Sequence, residues 1–126
     1  ADHPGLVGCA VVSYPVTDLV HLAATSHRFE RHSVQTLVGV QSAFVSRSPL
    51  SKCDALAATP LLVMHGENDP VVPVEQGRSL VDRVRAAGGT AKFELMPGEG
   101  HGFRQPENKM REYACMEEFL DAHMRP

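Results

Sequence analysis

The chain has 126 residues, 43% of them apolar and 21% charged, and a formal net charge of −3. That length bounds it to one domain with one core, and the composition excludes a disordered chain. Acids and bases are interspersed, so there is no basic surface for nucleic acid or an anionic membrane, and no apolar stretch nears the ~20 residues that span a bilayer.

Residues 6–14, LVGCAVVSY, form a short continuous apolar run rich in β-branched residues and closed by Pro15, which predicts a buried strand of a parallel sheet with Cys9 in its interior. Residues 17–58 are more polar and irregular, with short helices expected over 33–37 and 52–57. A second buried strand is expected over 60–64, PLLVM, between Pro60 and Gly66. Leu80, Val81 and Val84 then fall at helical spacing within 74–87, and Gly88-Gly89 supplies a left-handed stop. AKFELM, residues 91–96, alternates as a third strand. Residues 107–124 predict a last helix with Tyr113, Met116, Phe119, Leu120 and Met124 on one apolar face. Strand, mixed segment, strand, helix, strand, helix is the alternation of an α/β protein with a parallel sheet. No repeat or linker divides it.

Cys9, Cys53 and Cys115 are far apart and make no CxxC. A disulfide framework or zinc site is therefore not expected, and a reducing compartment is the default. His27 and His32 have no HExxH or HxH company, so no metal or cofactor is expected. The first residues, ADHPGLVG, show no signal-peptide pattern, which leaves a cytoplasmic location as the expectation.

Chemistry concentrates at two strand ends, where α/β folds present functional groups. Asp69 lies in the turn-forming stretch GENDP after the second strand, and His101 lies between Gly100 and Gly102 after the third. A carboxylate so placed can fix the tautomer of an imidazole and stabilise its cation, and the imidazole can take a proton from a hydroxyl and return it to a leaving group. Against this, an Asp before a proline is often a turn former, and a loop His is often merely solvated. His65 and Gly66 are expected to shape the turn leading to Asp69. Phe103 either walls the site or packs under the last helix, and Glu99 is expected to be a solvated or backbone-bonded loop acid.

Several stretches carry a family resemblance in order: HPGLVGCAVVSYPVTDL, HRFERHSVQTLVG, SRSPLSKCDALAATPLLVMHGENDPVVPVEQ and FELMPGEGHGF. Together they make almost the whole chain similar to the C-terminal part of an α/β-hydrolase, within it to the catalytic domain of the prolyl oligopeptidase family of serine peptidases, and there to acylaminoacyl-peptidase-like members. The resemblance implies that Asp69 is the catalytic acid and His101 the catalytic base, acting on a peptide or acyl-peptide substrate. Many relatives carry a basic residue two positions after the acid. Here that position is Val71, which puts recognition of a substrate carbonyl or carboxylate by a cation there in doubt.

The family nucleophile is a serine in GxSxG on a tight strand-to-helix turn. No GxSxG occurs in these residues. Ser13 sits at a strand end, Ser42 follows Gly39-Val40-Gln41, and Ser46, Ser48 and Ser51 lie in a glycine-free loop. The resemblance implies that the serine lies upstream of Ala1, so that residues 1–126 are a partial hydrolase domain lacking its nucleophile elbow and inactive alone. The substrate-binding residues are left unassigned. An esterase or dienelactone-hydrolase-like fragment, and a non-catalytic hydrolase-like interaction module, are the alternatives. The outer edge of the first strand is expected to be unpaired in such a piece, favouring self-association.

Overall fold

Residues 3, 5–25 and 36–124 are described by the structure, a computed structural model. Three strands, β1 (Ala10–Ser13), β2 (Leu61–Gly66) and β3 (Ala91–Met96), form one sheet in that order. Both pairings are parallel, with Ala10 opposite Leu61 and Leu61 opposite Ala91. β2 is buried along its whole length, as a central strand covered on both faces requires.

Alternation along β2 divides the core. Leu61 and Val63 pack with Leu80, Val81 and Val84 on one face. Leu62 and Met64 pack with Met96, Phe103, Cys115 and Phe119 on the other. The helix on the first face, Val74–Ala86, ends as its sequence predicts. Gly88 takes φ +84°, and the Gly88 and Gly89 amides donate to the carbonyls of Arg85 and Val84. Those two bonds make a Schellman C-cap, which satisfies carbonyls the helix itself leaves unpaired. The helix on the second face, Pro106–His123, starts with proline at its first turn, where a missing N–H costs nothing. No helix among the described residues is long and apolar enough to cross a membrane.

Three expectations need correction. The first strand starts at Ala10, leaves Cys9 outside it, and is half-buried throughout rather than buried. The reason is its position: among the described residues it pairs with β2 alone, and Leu6 and Val7 are exposed. The last helix buries Asn108, Cys115 and Phe119, while Tyr113 and Met124 are exposed. Phe119 belongs to both the predicted stripe and the buried face, and Met116 packs at the edge of the second core cluster, so the buried face is shifted from the predicted stripe without leaving it. A polar Asn and a small Cys mark the true seat, and an apolar count passes over the Asn. The segment after Pro15 also contains an unpredicted helix, Leu19–Thr25, capped by Asp18 Oδ1, which accepts the Val20 and His21 amides at 2.9 and 3.0 Å. Its Leu19 and Leu22 pack with Phe44 as a third cluster.

The helix expected over 52–57 is the single turn Cys53–Leu56. Of the one expected over 33–37, residues 36 and 37 are described and helical, and the rest, with His27 and His32, lies outside the described residues.

Candidate active site

The turn after β2 is built around Asp69. Its Oδ1 accepts the amides of Val71 and Val72 at 2.8 and 2.9 Å, an Asx-type turn that fixes the carboxylate plane. The second oxygen, Oδ2, is thereby aimed across to the loop after β3, where His101 Nδ1 lies 2.8 Å away. The two residues expected to work together are in direct contact.

Their environments differ in a useful way. The Asp69 side chain has no exposed surface, while 40% of the His101 side chain remains exposed. Burial pushes the Asp69 carboxyl up, but the Val72 amide, the His101 ring and the Val71 amide together outweigh it and hold the group below its ordinary value. It therefore stays an anion at neutral pH. Nδ1 of His101 donates to that anion, which leaves Nε2 as the basic nitrogen, on the solvent-facing ring.

Close approach of the two loops rests on Gly66. A Cβ there would sit 2.2 Å from the Gly100 carbonyl oxygen and 2.6 Å from that of Glu99. The Asn68 amide donates to the Glu99 carbonyl at 2.8 Å, and the Gly98 amide donates to Glu67 Oε2 at 2.9 Å, stitching the acid loop to the histidine loop. On the other side of His101, Gly102 takes φ +105°, open only to glycine without strain.

His65 anchors the acid turn from below. It is fully buried, and its Nε2 is 2.9 Å from the Val72 carbonyl, to which it donates, and 3.6 Å from Asp69 Oδ2. Its Nδ1 has no hydrogen-bond partner among the described residues. That nitrogen faces Gly77, where a Cβ would lie only 2.9 Å away.

Glu99 is buried rather than solvated, and it is bonded to backbone. Its oxygens accept the Arg104 and Gln105 amides and Asn108 Nδ2. Burial raises its carboxyl, but these donors, the Gln105 amide first, bring it below the ordinary range. Glu99 thus ties the histidine loop to the start of the last helix. Phe103 packs beneath that helix with Cys115 and Phe119.

Val71 is 39% exposed beside the acid. Tyr14 is a residue the sequence did not single out. One position past β1, its ring centroid lies 4.8 Å from that of His101. Nothing in the local sequence marks this except its place before Pro15 at a strand end.

A parallel sheet with a helix on each face, carrying an Asp–His pair at neighbouring strand ends, is an α/β architecture of the hydrolase type. The family model described as prolyl oligopeptidase family matches residues 1–126, and the chain belongs to that family. The chain is similar to a puromycin-hydrolysing peptidase of Mycobacterium tuberculosis, with TM-score 0.86 and 28% identity, over 91% of this chain and 18% of that one. It is 39% identical over 74 residues to dipeptidyl aminopeptidase BIII of Pseudoxanthomonas mexicana, covering 59% of this chain and 11% of the relative. Over 47 residues it is 53% identical to esterase LipC of Mycobacterium tuberculosis, covering 36% of this chain and 12% of the relative. The chain therefore spans well under a quarter of the length of each of these proteins.

Proposed function

We propose that this chain supplies the acid, Asp69, and the base, His101, of a Ser-His-Asp triad that hydrolyses peptide or acyl-amino bonds. The supporting observation is the 2.8 Å contact between Asp69 Oδ2 and His101 Nδ1, set at adjacent strand ends with the base on the exposed side. In this reading a serine from sequence outside these residues attacks the scissile carbonyl while His101 Nε2 takes its proton. The acyl-enzyme forms as the C–N bond breaks, and the same imidazole returns the proton to the leaving amine. Water then repeats the sequence to release the acid. Asp69 remains ionised throughout, orienting the ring and stabilising its cation. Its sequence contains no GxSxG serine, and alone the chain is proposed to be inactive.

The test uses the longer protein that contains this chain, assayed on aminoacyl and N-acyl-aminoacyl p-nitroanilides and on p-nitrophenyl esters. His101→Ala is expected to lower kcat by about 10⁴-fold or more. Full activity in that variant would overturn the assignment. A second reading, an esterase, is favoured by the apolar Val71 beside the acid and by the 53% identical segment shared with an esterase. Turnover of the esters without the anilides would select it. The proposal places the protein in the reducing cytoplasm, supported by three unpaired thiols, Cys9, Cys53 and Cys115.

A further inference from the structure

Tyr14 packs at the edge of the second core cluster and combines there three features that bear on the site. Its φ is +43°, the only positive value for a non-glycine among the described residues. An aromatic residue in the left-handed region is strained, and a residue before proline is normally driven to extended backbone, so Pro15 makes this conformation still less favourable. The amide of Tyr14 nevertheless keeps the sheet ladder, donating to the Met64 carbonyl at 2.8 Å. The chain is thus held in register up to the residue's nitrogen and then turned sharply.

The turned residue's ring sits among those of the site. It lies 4.8 Å from His101 at a 49° tilt, 5.3 Å from Phe103 edge-on, and 6.5 Å from His65 edge-on. Phe103 is buried in the core beneath the last helix, so the ring has a rigid support behind it. His101, by contrast, is 40% exposed at its side chain, and one hydrogen bond at Nδ1 leaves rotation about that bond as a remaining freedom. Burial, then the charges of Glu112 and Asp69, raise the Tyr14 phenol, so it stays neutral beside the pair.

We propose that Tyr14 is a positioning residue for His101: its ring is the wall that holds the imidazole in line with Asp69, and the left-handed backbone aims it there. The ring, not the hydroxyl, does the positioning. The functional consequence rests on His101 acting as the base, as proposed above, whereas the ring contact itself does not.

The experiment compares Tyr14→Ala, Tyr14→Gly and Tyr14→Phe in the longer, serine-containing protein. Glycine relieves the positive φ and alanine does not, so Tyr14→Gly should be the more stable of the two truncations. Both are expected to lose about 10- to 100-fold in kcat with KM within about twofold, because misplacing the base costs rate rather than binding. Tyr14→Phe should restore the rate. Activity that instead tracks thermal stability, with Tyr14→Gly recovering, would overturn the proposal by making the role structural. A second readout needs no turnover. The Hε1 resonance of His101, labelled at Cε1, should carry a ring-current shift that persists in Tyr14→Phe and vanishes in Tyr14→Ala. An inactive wild type with that shift intact would refute the hydrolase reading and the functional consequence of the Tyr14 wall while leaving the contact. An active wild type with no shift change would refute the Tyr14 wall alone.

Discussion

Replacing Gly66 by alanine should damage both the stability of the fold and the geometry of the Asp–His pair. The new Cβ would lie 2.2 Å from the Gly100 oxygen, 2.6 Å from the Glu99 oxygen and 2.9 Å from the Glu99 carbonyl carbon, all of them backbone atoms that no rotamer change can move aside. A carbon–oxygen contact relaxes at about 3.3 Å, so the two loops must part by about 1 Å. Separation of that size takes both the 2.8 Å Asp69–His101 bond and the 2.8 Å Asn68–Glu99 backbone bond beyond hydrogen-bonding distance. Overpacking costs about 1–3 kcal/mol and the lost backbone bond about 1 kcal/mol more. For a chain of this size, a total of about 2–4 kcal/mol is a fall of about 10 °C in Tm.

The assay is urea and thermal unfolding of the 126-residue chain, with the downfield Nδ1 proton of His101 followed by NMR in the same samples. Gly100→Ala is the control, because its Cβ would meet nothing nearer than Pro70 Cδ at 3.7 Å. It should stay within about 0.5 kcal/mol of wild type. A Gly66→Ala chain with wild-type Tm and an unchanged Nδ1 proton would refute the claim that loop contact at this glycine sets the pair.

Asp69→Asn keeps an oxygen for the Val71 and Val72 amides but presents the wrong partner to Nδ1. In the longer protein it should keep its fold and lose about 10⁴-fold in kcat; a loss under tenfold would remove Asp69 from the mechanism. Asp69 and Glu99 both have carboxyls lowered by their hydrogen-bond donors against the opposing effect of burial. Each contributes stability that is present above the ordinary carboxylate pKa of about 4 and lost as pH falls through the lower folded value. Unfolding midpoints should thus decline steeply on acidification below about pH 4, and Glu99→Gln should flatten that decline; an unaltered profile in Glu99→Gln would count against the buried network. Finally, β1 pairs on one side only among the described residues, and we propose that the isolated chain self-associates through that edge. Sedimentation velocity should show mass rising with concentration, and a monodisperse monomer would refute it.

Elements with local signals could be read before any tertiary contact was known. The apolar run at 60–64, the Gly88-Gly89 stop and the alternation at 91–96 each describe a backbone state that neighbouring residues impose. Asp69 and His101 stood out for a related reason, the turn-forming residues and flanking glycines around them, and folding brings the two side chains into contact. What surrounds them was not legible. The half-burial of β1 depends on which strands pair with it, and the shifted buried face of the last helix depends on where Asn108 finds Glu99 and the Pro97 carbonyl. The need for glycine at position 66 comes from a loop some thirty residues away, and the role of Tyr14 from the rings of His65 on β2 and of His101 and Phe103 on the loop after β3. Those are distances between parts of the chain remote in sequence, and only folding brings them within reach of one another.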